Sequence, residues 1–171
     1  VVNYPDMVQA EILMLTKKEN YDKDKIPYIA LYNEYFGGGM AGIVFQELRE
    51  SKALAYSTFS SFTIPTKKEK AHYNLAYIGT QSDKLPEAMT GLFQLLNDMP
   101  ESEITYNSAK DNLIQKFNTE RITKAGILNS YLSAQKLGLD HDIRKDIYDK
   151  AQTLSLDDIR KFQAENIKDS K

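Results

Sequence analysis

An α+β fold, with helices packed on one face of a mainly antiparallel sheet, is what this sequence predicts. Three observations carry it. The periodic segments run strand, helix, helix, strand, strand; two neighbouring runs share an aromatic and hydroxyl-rich strand character; and apolar residues recur at helical spacing through the C-terminal third. From Met7 to Leu15 the run Met-Val-Gln-Ala-Glu-Ile-Leu-Met-Leu alternates imperfectly and carries few turn residues, which predicts a half-buried strand. The polar stretch from Thr16 to Lys25 reads as a loop. Pro27, with its fixed φ, suits a first helical turn, and Ile29, Leu31, Tyr32, Tyr35 and Phe36 follow near helical spacing as far as Gly37. Beyond Gly37-Gly38-Gly39, the residues Ile43, Val44, Phe45 and Leu48 predict a second short helix that ends around Ser51 or Lys52.

The segments Leu54 to Ile64 and Ala71 to Thr80, joined by the charged link Lys67-Lys68-Glu69-Lys70, read as a hairpin-like strand pair. Ser82 is positioned to cap a helix with the stripe Met89, Leu92, Phe93, Leu95, Leu96 and Met99, which Pro100 stops. Ile104, Ala109, Leu113, Ile114 and Phe117 keep helical spacing, and Ile127, Leu128, Tyr131, Leu132 and Leu137 continue it to Gly138. Ser155-Leu-Asp-Asp158 has capping-box spacing ahead of Ile159 and Phe162, so a final helix closes the order. No internal repeat or proline-rich linker interrupts it, and one domain over residues 1–171 is expected.

Composition narrows the function classes. The 22 Lys and Arg nearly balance the 24 Asp and Glu, so no overall field draws the chain to nucleic acid or an anionic membrane. No apolar run is long enough to span a bilayer, and membrane insertion is not expected. With no cysteine, disulfides and thiolate chemistry are excluded, while cytoplasmic and periplasmic locations both stay open. A chain that opens Val-Val-Asn without a leader is expected to be a fragment or processed piece.

Zinc hydrolysis needs imidazoles and carboxylates converging on the metal, with two ligands three or four residues apart on one helix face. The chain has two histidines, and neither sits in such a pair. His72 lies in a strand-like run and reads as structural. His141, in Leu139-Asp-His-Asp-Ile-Arg, stands at a helix start where Asp140 or Asp142 can cap and raise its basicity. Paired carboxylates such as Asp157-Asp158 and Glu101/Glu103 fall at helix starts, where the macrodipole favours them without catalytic duty. The turn Gly37-Gly38-Gly39-Met-Ala-Gly42 before a helix could cradle a phosphate or nucleotide on backbone amides, but lacks the Walker lysine and a preceding strand. Those glycines read instead as a tight joint that permits close packing.

The segment Asn33-Glu-Tyr-Phe-Gly-Gly-Gly-Met-Ala-Gly-Ile-Val-Phe-Gln-Glu-Leu-Arg-Glu-Ser-Lys-Ala-Leu-Ala-Tyr56-Ser resembles the signature segment of M16 (pitrilysin/insulinase-like) zinc metallopeptidases over about twenty-five residues. Its flanks are similar too: Pro5-Asp-Met-Val-Gln-Ala-Glu resembles the family's opening strand, and Leu137-Gly-Leu-Asp, Ile147-Tyr and Leu156-Asp-Asp-Ile resemble its closing helices. The resemblance implies a metallohydrolase domain of the mitochondrial-processing-peptidase type, the C-terminal, non-zinc domain of a larger peptidase. Its partner would be a homologous zinc-bearing domain, in the same polypeptide or another subunit, and its substrate a polypeptide. The family's inverted His-x-x-Glu-His motif is missing here, so the resemblance implies zinc in the partner domain, no cofactor in this chain, and no activity for this chain alone. What matches instead is the Arg/Tyr pair of the opposing domain, seven residues apart, occupied here by Arg49 and Tyr56. By resemblance Arg49 holds a substrate carbonyl and Tyr56 stabilises the tetrahedral intermediate. From residue types alone, Arg49 can equally pair with Glu47 or Glu50 while Tyr56 packs. A non-catalytic relative acting as a scaffold or assembly subunit is the competing function.

Overall fold

A computed structural model describes residues 8–168. Met7 and the Pro5-Asp6 part of the family-like opening lie outside them. Strand β1 (Gln9–Asn20) is followed by a short turn and by α1 (Ile26–Tyr32), which continues through a wider helical turn over Asn33–Gly37. Helix α2 (Ile43–Phe45) continues likewise over Gln46–Ser51. The hairpin strands β2 (Ser57–Phe62) and β3 (Ala71–Gln81) come next. Then follow α3 (Leu85–Asn97), α4 (Glu103–Thr119), α5 (Lys124–Lys136), α6 (Ile143–Thr153) and α7 (Leu156–Asn166). The architecture is α+β, with a three-stranded antiparallel sheet in the order β1-β3-β2. None of the described helices is long and apolar enough to cross a membrane.

The register explains why the helices collect on one side. Ile12 pairs with Ile78, which pairs with Thr58, and Met14, Ala76 and Ser60 form the next row. Because side chains alternate across a strand, these rows point into the core, while Leu13, Tyr77 and Phe59 point the other way. Helix α1 fills the space above the core face with Ile26, Ile29, Leu31, Tyr32, Tyr35 and Phe36, all inaccessible to solvent. Helix α7 adds Phe162, whose ring meets Tyr32 at 5.6 Å and Phe62 at 5.4 Å between centroids, joining sheet and helices through aromatic contacts. Where α3 hands over to α4, the Tyr35 hydroxyl donates to the Pro100 carbonyl (2.9 Å) and accepts from the Ser102 amide (3.1 Å).

Several expectations require correction. The stretch from Thr16 to Lys25 is not all loop, because β1 runs on to Asn20. Its charged residues lie on an edge strand, paired through Lys17↔Tyr73 and, after a register shift, Asn20↔Ala71, where solvent tolerates them. Ser82 does not cap α3: its amide donates to the Val8 carbonyl at 3.1 Å, extending the sheet, and the helix begins three residues later with Lys84 at its N-cap. Ile104 is 83% exposed, and on α5 Ile127, Leu128, Tyr131 and Leu132 all face solvent, leaving Ala134 as the buried residue of that helix. Periodicity identifies an apolar face without supplying the surface that would cover it. The capping box at Ser155 and Asp158 forms as expected, with both reciprocal hydrogen bonds present.

Candidate functional site

The site is built where α2 gives way to β2. The helix widens at its end, with the Lys52 amide donating to the Glu47 carbonyl at 3.1 Å, and the Leu54 amide then reaches back to Leu48 at 2.8 Å. Between them Ala53 takes φ +49, a left-handed conformation that turns the chain toward the sheet. Leu48 and Leu54 are buried against α3 at Gly91, where a methyl group would lie 3.1 Å from the Leu48 side chain and 3.4 Å from that of Leu54. The Thr80 hydroxyl donates to the Leu54 carbonyl at 2.6 Å, and the Tyr56 amide donates to Gly79 at 2.8 Å. The crossing from Arg49 to Tyr56 is thereby pinned at both ends.

The consequence is that Arg49 and Tyr56 line one open cleft of about 410 Å³, together with Glu50, Ala53, Thr80, Gln81 and Lys84. Both remain available: the Arg49 side chain is 47% exposed and Tyr56 is 50% exposed. The guanidinium sits over the Phe45 ring, 4.8 Å from its centroid, which restricts its swing. Its Nε lies 3.8 Å from Glu50 Oε1, so of the two carboxylates that could pair with Arg49 it is Glu50 that does. That pair is exposed and weak, and the planar fork keeps other donors for a ligand carbonyl. A phenol and a guanidinium on one cleft wall can donate hydrogen bonds to neighbouring carbonyl oxygens of an extended peptide. Thr80, Gln81 and Lys84 were not suggested by the sequence. They come from the end of β3 and the start of α3, and no local motif connects them to Arg49.

The glycine turn behind the site works by close approach. At Gly37 an added Cβ would lie 1.8 Å from the Ser60 carbonyl oxygen, so only glycine lets α1 rest directly on β2. Gly39 has φ +68, the left-handed region that glycine enters without strain. Just before them, Asn33 clamps the strand edge: its Nδ2 donates to the Phe62 carbonyl at 2.9 Å, and the Phe62 amide donates to its Oδ1 at 2.8 Å. These contacts support a packing joint rather than a phosphate cradle.

Neither histidine offers a metal site. His72 is fully buried, with Nδ1 2.8 Å from the Thr63 carbonyl and Nε2 accepting from the Asp22 amide at 3.1 Å. Those partners set one neutral tautomer and occupy both nitrogens. His141 lies 2.6 Å from Asp140 and 2.7 Å from Asp146, and hydrogen bonds to these carboxylates hold its pKa above the ordinary value. The N-cap of α6 is Asp142, which accepts from the Arg144 amide. Among the described residues no group of three or more His, Asp or Glu could hold a metal ion.

Comparison with known proteins places this geometry in context. The family model described as the peptidase M16 inactive domain matches residues 1–110. A crystal structure of the peptidase M16 inactive domain from Pseudomonas fluorescens superposes with a TM-score of 0.75 at 18% identity, covering 96% of this chain and 39% of that one. A protease from Helicobacter pylori gives 0.77 at 17% identity, with coverages of 99% and 41%. An inactive peptidase domain from Bordetella parapertussis gives 0.71 at 12% identity, with coverages of 92% and 86%. The chain thus spans about two fifths of the length of the first two structures. No curated protein matches the chain in sequence.

Proposed function

The chain belongs to the M16 peptidase family, as an inactive domain, and from that premise we propose that it is the non-zinc half of a zinc metalloendopeptidase, closing over an extended peptide held on a homologous zinc-bearing domain. That domain lies in the same polypeptide or in a partner subunit. A zinc ion bound there would supply an activated water. Among the described residues none form a zinc site, and the part of this chain is to bind and orient. Arg49 donates to a substrate carbonyl, and Tyr56 donates to the oxygen on which charge develops. The observation that carries this reading is the shared cleft, in which both side chains are half-exposed and held by the α2-to-β2 crossing.

The test is steady-state hydrolysis of a quenched fluorescent peptide by this chain assembled with its zinc-bearing domain, alongside a thermal melt. Phenylalanine at position 56 keeps the ring and removes one donor. Tyr56→Phe should lower kcat by about 10²–10³ with KM and melting temperature little changed, the scale of losing one oxyanion donor. A kcat within about twofold of the parent enzyme, far short of that scale, defeats the assignment. A second reading, a non-catalytic scaffold or assembly subunit, draws its support from α5, whose Ile127, Leu128, Tyr131 and Leu132 present an apolar face to solvent. Under it, Tyr56→Phe leaves the function of the assembly untouched.

A further inference from the structure

The cleft that holds Arg49 and Tyr56 carries a second cation, Lys84. Its backbone is fixed at the start of α3: its amide donates to the Gln81 carbonyl at 3.1 Å, and its own carbonyl accepts from the Ala88 amide at 2.9 Å. Helix α3 in turn packs through Gly91 on Leu48 and Leu54, the two leucines that bracket Arg49. Lys84, Arg49 and Tyr56 are therefore mounted on one packed unit. The ammonium reaches the Ala53 carbonyl at 3.4 Å, at the left-handed turn between Arg49 and Tyr56.

Charge in the cleft has the opposite sign to charge on the chain. The whole sequence carries a net charge of −2. The cleft wall carries Arg49, Lys84 and Glu50, and Glu50 pairs with Arg49, so Lys84 sets its sign as positive. The Ala53 carbonyl is a neutral acceptor and does not offset that charge. A peptide whose carbonyls engage Arg49 and Tyr56 brings a neighbouring side chain to Lys84, and a carboxylate there gains an ion pair in a partly shielded setting.

We propose that Lys84 makes this cleft selective for acidic polypeptide segments, pairing with an Asp or Glu side chain close to the carbonyls that Arg49 and Tyr56 engage. Lys84 is then a specificity-determining residue. The inference rests on the peptide-contact reading of the cleft.

Binding to this chain assembled with its zinc-bearing domain, with a chelator present to stop hydrolysis, is measured by fluorescence anisotropy with labelled peptides in which a single Glu is moved along an otherwise neutral sequence, each compared with its Gln twin. At one position the Glu peptide should bind about threefold more tightly than Gln at low salt, the scale of a half-exposed ion pair. Added salt should shrink the difference. Lys84→Gln keeps a donor for the Ala53 carbonyl but removes the charge, so the twins should become equal; Lys84→Glu should reverse their order. A preference that survives Lys84→Gln overturns the proposal, as does equal or undetectable binding of the twins at every position. The two ideas fail separately. If Tyr56→Phe lowers turnover but no Glu preference exists, the role of Lys84 alone is lost. If Lys84→Gln abolishes a Glu preference while Tyr56→Phe is silent in turnover, the catalytic reading is lost and an acidic-peptide site remains.

Discussion

Replacing Asn33 by alanine should weaken the whole fold by loosening the edge of β2. In the β2–β3 ladder the Thr63 amide donates to the Tyr73 carbonyl at 2.7 Å, so odd-numbered residues of this stretch point into the ladder and even-numbered ones point to its free edge. Phe62 is one of the latter. Its amide and carbonyl are both satisfied by the Asn33 carboxamide, which substitutes for the peptide group of a further strand. Asn33→Ala removes both hydrogen bonds at once and leaves a part-buried N–H and C=O unpaired. Each such loss costs about 1–3 kcal/mol, and water can reach a strand edge, so the lower half of the range applies and about 2–4 kcal/mol is expected in total. Urea unfolding followed by circular dichroism would read this as a midpoint lowered by about 1 M with an unchanged slope. Asn33→Asp should not restore stability, because its second oxygen would face the Phe62 carbonyl instead of donating to it. A midpoint shift below about 0.2 M for Asn33→Ala, with the slope unchanged, would refute the clamp.

Two further outcomes follow from local geometry. Ala53→Gly should stabilise, since the left-handed φ costs alanine about 1–2 kcal/mol and glycine returns only about 0.4–1 kcal/mol of that through the unfolded chain. A gain of about 2 °C in melting temperature is expected for a domain of this size, and a fall would contradict the strain argument. His141 should titrate above the ordinary 6.5, held charged by Asp140 and Asp146. A raised folded-state pKa means that its tether between the α5–α6 turn and α6 is complete below 6.5 and is lost as pH rises through the folded-state value. Proton NMR of the imidazole checks this, and Asp146→Asn should bring the midpoint down; a midpoint at or below 6.5 in the parent chain would refute it.

The sequence by itself determined what depends on near neighbours along the chain. Pro27 and the spacing of Ile29, Leu31, Tyr32, Tyr35 and Phe36 specified α1, Gly37 specified its end, and Ser155 with Asp158 specified the start of α7, because helical spacing, backbone freedom and capping act within one or two turns. Arg49 and Tyr56 were singled out by resemblance to a family signature; their residue types and local spacing left a surface ion pair and a packing ring open beside it. Tertiary structure alone decided the rest. Lys17 to Asn20 became strand because β3, more than fifty residues away, offered them partners. His72 gained its fixed tautomer from Asp22 and Thr63, which no pattern around position 72 announces. Ile104 and the apolar face of α5 kept the periodicity of core residues yet stayed in water, since amphipathicity fixes which side of a helix is apolar and only a packed neighbour can bury it. Lys84 joined the cleft because Gly91 lets α3 lie against Leu48 and Leu54, a close approach between segments some forty residues apart that local propensity does not encode.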